Sequence, residues 1–130
     1  MIIKNAKVYT KDFKFEKKDL CLDGGILCDT AVGEVKDAKG MYIIPGLIDL
    51  HLHGCDGAEV VDGTHDAIRK IAKYEARNGI TAICLSTEPV EHEKLINSLK
   101  TAGNYSADDG AVVCGINLEG PFLTVEKCGG

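Results

Sequence analysis

The 130-residue chain predicts an α/β protein. A small antiparallel β-sheet over residues 1–44, read as a portion of a β-sandwich, precedes parallel β/α units over residues 45–130. Two observations carry this reading. Short apolar runs separated by tight-turn residues fill the first third. From Leu47 onward, apolar strand-like runs alternate with stretches of helical period.

In the first third, Ile2-Ile3 and Ala6–Thr10 are candidate strands around a Lys4-Asn5 turn. Leu20-Cys21-Leu22 and Ile26-Leu27-Cys28 flank Asp23-Gly24-Gly25, a hairpin signal. Lysines 11, 14, 17 and 18 interleave with Asp12, Glu16 and Asp19, which reads as a solvated loop. Gly33 to Gly40 is polar and reads as a turn region. Met41–Ile44 is a further strand ending at Pro45-Gly46.

In the remainder, Leu47–His53 is a strand. Thr64 caps a helix to about Asn78, with Asp66 in its first turn and Ile68, Ile71, Ala72 and Ala76 as its apolar stripe. Gly79 suits the position after the helix. Ile80–Leu85 is a buried-type strand and Ser86–Pro89 a loop. A second helix spans about Val90 to Ala102, with Leu95, Ile96, Leu99 and Ala102 on one face. Ala111–Leu118 is the third strand. Strands alternating with helices imply parallel pairing.

Composition excludes several classes. The formal charge is −5 and no basic stripe interleaves with aromatics, so no nucleic-acid partner is expected. No apolar run reaches membrane-spanning length, and no secretory signal opens the chain. None of the six cysteines forms C-x-x-C. Cys21, Cys28, Cys84 and Cys114 lie in apolar runs and read as small core residues of a reduced, cytoplasmic protein. Cys55 reads as a small loop residue.

The chemistry concentrates at His51-Leu52-His53-Gly54. An extended backbone over 47–53 puts Ile48, Leu50 and Leu52 on one face and Asp49, His51 and His53 on the other. Two imidazoles so spaced can converge on one metal ion. Gly54 lets the chain turn away. Asp49 either orients a histidine from behind or makes a buried ion pair. In parallel β/α proteins, ligands gather at the carboxyl ends of strands. Glu119 ends the third strand, so it shares that rim with His51 and His53. Two imidazoles and a carboxylate suit Zn²⁺, Fe or another first-row divalent ion. The competing reading is of solvated strand-end histidines and an acid before a Gly-Pro turn.

The run Ile44–Gly54 resembles the amidohydrolase superfamily, in which an H-x-H ends the first barrel strand. Leu118-Glu119-Gly120-Pro121-Phe122-Leu123, with Lys127 and two glycines following, resembles more narrowly the N-acetylglucosamine-6-phosphate deacetylases. Asn78-Gly79-Ile80-Thr81 fits the same family. The resemblance implies the first three β/α units of an incomplete TIM-like barrel, since a full one takes ~250 residues. It implies metal-dependent removal of acetyl from an amino-sugar phosphate. Glu119 would bridge two metal ions held with His51 and His53, and Gly130 would meet the sugar. Asn117 stands where the family commonly has His, and Cys128 lies in a loop often richer in Lys. The expectation is an N-terminal fragment of a homo-oligomeric enzyme. Its general acid/base and phosphate-holding residues would lie outside these residues, leaving the fragment alone inactive. Two further readings stand: an amidohydrolase acting on a cyclic amide or ureide, and a metal-binding or self-associating fragment without catalysis.

Overall fold

The computed structural model describes residues 1–124 and 126. The chain divides into two compact units, Met1–Pro45 and Gly46–Gly130. Lys127, Cys128 and Gly130, named in the sequence reading, lie outside the described residues.

The first unit is a five-stranded sheet of β1 (Ile2–Tyr9), β2 (Phe15–Asp23), β3 (Ile26–Cys28), β4 (Val35–Asp37) and β5 (Tyr42–Ile43). The Asp23-Gly24-Gly25 hairpin forms as expected: Asp23 pairs with Ile26, and both glycines take positive φ, 55° and 82°. Other expectations need correction. The sheet is mixed, because β4 and β5 both run parallel to β1. Lys4-Asn5 is no turn. β1 is one strand with a bulge there, and Asn5 takes φ 59° within it. Such a bulge keeps strand direction while shifting register. Glu16–Asp19 belong to β2, because their charged side chains tolerate an exposed strand face as readily as a loop. The turn region 33–40 contains β4. A small core of Ala6, Val8 and Ala38 gathers Ile3, Leu20 and Ile43.

The second unit begins with β6 (Leu47–Leu52), then β7 (Gly54–Cys55) and β8 (Ala58–Glu59), which form a small hairpin. A 3-10 turn (Val60–Asp62) leads to α1 (His65–Arg77), β9 (Ile80–Ser86), α2 (His92–Gly103) and β10 (Val112–Asn117). The strands form a three-stranded parallel sheet in the order β10-β9-β6. Thr64 caps α1 by accepting from Ala67 N–H at 3.2 Å. The α1 stripe is Ala67, Ile68, Ile71, Ala72 and Glu75, whereas Ala76 is exposed. In α2 Ser98 is buried and Ile96 is not; the Ser98 hydroxyl donates to Lys94 C=O at 2.8 Å, which lets it sit in the core. Ile68, Ile71, Ile83 and Leu85 are the fully buried centre between α1 and β9.

None of the four cysteines expected in the core is fully buried: Cys21 and Cys84 are half-buried, Cys28 and Cys114 exposed. Their strands lie at sheet edges or present one side to solvent. Among the described residues, no helix is long and apolar enough to cross a membrane.

Candidate metal centre

The site forms where β6 and β10 end on either side of β9. β6 alternates imperfectly. Asp49 pairs with Ile83 and Leu52 with Leu85, so one extra residue bulges out of β6 between them. Asp49 caps that bulge: its carboxylate accepts the His51 backbone N–H at 2.9 Å. It therefore fixes the His51 main chain. Beyond the strand, the His53 carbonyl accepts from Val60 N–H at 2.8 Å, tying the histidine to the 3-10 turn. Gly54 is required here because a Cβ would run into the Ala58 carbonyl of β8 and come within 2.8 Å of Glu59 Cα.

The three ligand atoms converge. His51 Nε2 lies 3.0 Å from His53 Nε2. One carboxylate oxygen of Glu119 lies 3.0 Å from His51 Nε2 and 3.4 Å from His53 Nε2. Donors bound at ~2.0–2.2 Å around a tetrahedral ion sit ~3.3 Å from one another. The observed spacings match this within a few tenths of an ångström, so the donor set can hold a divalent cation.

Residues behind the ligands hold them. The Asn117 amide nitrogen lies 2.9 Å from His51 Nδ1 and 3.3 Å from Ser86 Oγ. Ser86 Oγ also accepts from Leu52 N–H at 3.1 Å. Thr87 clamps the Glu119 backbone from both sides: its Oγ1 accepts from Glu119 N–H at 3.0 Å and donates to Glu119 C=O at 3.1 Å. The Thr87 N–H donates to Asn117 C=O at 3.0 Å. Ser86 and Thr87 are fully buried. Gly120 follows with φ 78°, and a Cβ on it would come within 3.1 Å of Pro89. Among the described residues nothing bonds to His53 Nδ1, which is buried.

Sequence reasoning missed Ser86 and Thr87, reading 86–89 as a loop. The available signal was two hydroxyl residues directly after an all-apolar strand, at the end where ligands gather. The Cys55 thiol, half-buried in β7, is pushed up to about 11 by burial, by hydrogen bonding with Glu75 and by neighbouring acids. A thiol held neutral is a poor nucleophile.

Fold and site together define a class: a β/α protein with a His-His-Glu group, able to hold a divalent cation, at the carboxyl ends of parallel strands. By sequence and fold, its relatives are N-acetylglucosamine-6-phosphate deacetylases. The deacetylase of Vibrio furnissii is 37% identical over 89 residues, covering 67% of this chain and 22% of that protein. The human one is 30% identical over 133 residues, covering 89% of this chain and 32% of its own length. The crystal structure of the Thermotoga maritima deacetylase superposes with a TM-score of 0.78 at 22% identity, covering 99% of this chain and 34% of that one. No family model matches. The chain thus spans about a quarter to a third of the curated relatives' length.

Proposed function

We propose that these residues serve a metal-dependent deacetylase that hydrolyses the acetamide of N-acetylglucosamine 6-phosphate in amino-sugar catabolism, and that they supply part of its metal site. The observation that carries the reading is the convergence of His51, His53 and Glu119 with the spacing a single ion requires. The relatives named above supply the substrate. We take the three-stranded parallel sheet as the opening portion of a TIM-like barrel, the 1–44 sheet as part of a β-sandwich, and the setting as cytoplasmic.

His51 and His53 would bind through Nε2, and Glu119 through its carboxylate, with zinc or another first-row divalent ion as the guest. A cation held there would supply Lewis-acid chemistry, acidifying water and polarising the acetamide carbonyl. The chain's own contribution is positional. Asp49 holds the His51 backbone, Thr87 holds the Glu119 backbone, and Asn117 meets the far nitrogen of His51. No described residue here is assigned as general acid/base. Gly130 is proposed to meet the sugar through its backbone.

The test is acetate release from N-acetylglucosamine 6-phosphate by the enzyme carrying these residues, comparing wild type with His51→Ala, His53→Ala and Glu119→Gln. Each variant should lose at least ~10²-fold in turnover and bind less metal. Preference for a cyclic amide or ureide would overturn the substrate and keep the metal site. Unchanged metal content in all three variants would overturn the site.

A further inference from the structure

We propose that Cys21 and Cys28 form a reversible cross-strand disulfide that locks β3 onto β2. The proposal rests on the register of the first unit and is independent of the metal site. Cys21 stands directly opposite Cys28 in the antiparallel β2–β3 pair, and both thiols are free. Directly opposed residues project to the same face of a sheet. Leu22 exchanges backbone hydrogen bonds with Met1, at 2.9 and 2.7 Å, so it faces β1. Its neighbour Cys21 therefore faces β3, in a hydrogen-bonded pair. Such pairs have Cα atoms ~5.5 Å apart, inside the ~4.4–6.8 Å span of disulfides.

The surroundings permit exchange. Both cysteines line one open surface groove with Lys18 and Asp29. Cys28 is exposed and Cys21 half-buried. The Cys28 thiol bonds to a local partner, donating to Thr30 C=O at 3.2 Å. β3 is three residues long and exposed throughout, so it can close the remaining gap between the Cβ atoms. No other two cysteines stand in register among the described residues: the residue opposite Cys84 is Gly115, with Cys114 in a bulge. The exposed Cys28 on a short edge strand leaves the bond open to attack by glutathione, which suits a switch rather than a permanent staple.

The exchange balances with a low-molecular-weight disulfide such as oxidised glutathione. The Cys28 thiolate attacks one glutathione sulfur, forming a mixed disulfide and releasing a glutathione thiolate. The Cys21 thiolate then attacks the Cys28 sulfur and expels the second glutathione. Two electrons pass from the protein to glutathione disulfide. The two protein protons end on the two released thiols.

The test equilibrates the 130-residue chain with graded ratios of reduced to oxidised glutathione, with a chelator to keep metal off the thiols. Samples are acid-quenched, alkylated, cleaved before aspartates and weighed. Cleavage separates residues 19–22 from 23–28, so the bond shows as these two peptides joined. The expected result is that joined pair at intermediate ratios, with Cys55, Cys84 and Cys114 still alkylated. It should form at a glutathione ratio roughly tenfold more reducing than in denaturing urea, because the sheet holds the thiols together. Cys21→Ser should leave Cys28 as a glutathione adduct; circular dichroism checks that the variant folds. A wild-type chain that only accumulates the Cys28 adduct, links another pair, or behaves the same in urea would overturn the proposal.

Discussion

The Asn117 amide meets His51 Nδ1 at 2.9 Å across the end of β9. For Nε2 of His51 to bind a cation, the ring proton must sit on Nδ1. Nδ1–H then needs an acceptor, which Asn117 offers through its carbonyl oxygen after a half-turn of the amide. In that orientation the Ser86 hydroxyl can donate to the same oxygen while still accepting Leu52 N–H. Asn117→Leu should weaken Zn²⁺ binding by ~10–100-fold, the range for lost outer partners. Asn117→Asp, which keeps the acceptor, should retain it. Competition against a chromophoric chelator measures both. Equal affinity in the leucine variant would show that His51 needs no such partner.

Thr87 makes a second, separable prediction. Thr87→Val keeps the volume and removes the hydroxyl, leaving the Glu119 N–H without its acceptor. Leaving such a group unpaired costs ~1–3 kcal/mol. Urea unfolding should show that loss, and Zn²⁺ affinity should fall because Glu119 is no longer held. Stability lost with affinity unchanged would mean that the carboxylate is positioned by other contacts.

Acid sensitivity should centre on Asp109. Hydrogen bonds from Arg69 and Lys73 of α1, the latter at 2.8 Å, hold its carboxyl well below the ordinary 3.8. A carboxyl depressed in the folded state stabilises above the unfolded value, and the benefit fades as pH falls toward the folded one. Asp109→Asn should therefore be less stable than wild type near neutrality, and the gap should narrow below about pH 3.8. Parallel thermal melts across that range test it. A gap that persists at the acid end would point to packing and not charge.

Exposed sheet edges should make the 130-residue polypeptide self-associate. Among the described residues, both β6 and β10 have a neighbour on one side only, and Ile48, Leu50 and Val112 are 60%, 70% and 61% exposed. Unpaired edges and apolar patches recruit other chains. Light scattering behind size exclusion, run in reductant, should give dimers or larger species. A monomer at all concentrations would contradict this.

The same polypeptide should release no acetate at ordinary enzyme rates of ~1–10³ per second. Its described residues include three candidate ligands and no assigned acid/base. A coupled acetate assay with added Zn²⁺ measures this. Turnover in that range would show that the described residues already form a complete site.

The sequence made the second unit legible because its signals are long and periodic: the Thr64 cap, the α1 stripe, and three apolar strands ending in polar residues. The His51-His53 pair and Glu119 were legible because each stands at a strand end. The bulge that gives Asp49 its role was not, since it depends on pairing with β9. The first unit was harder. β4 and β5 are short, and their parallel pairing with β1 depends on distant segments that carry no local turn signal. Glu75 and Ser98 entered the core against their polarity, Ser98 through a bond to Lys94 C=O that composition does not show.

The ligands come from the ends of β6 and β10 and the residues just after them, and these strands are not neighbours; β9 lies between them and contributes no ligand. A bound ion would therefore report strand order. If β9 slipped by one residue, its side chains would change face, and Ser86 and Thr87 would leave both ends of the site at once. A misassembled chain could keep its helices and strands and still release the ion. Metal affinity would then distinguish correct threading from mere secondary structure, a distinction that circular dichroism cannot make.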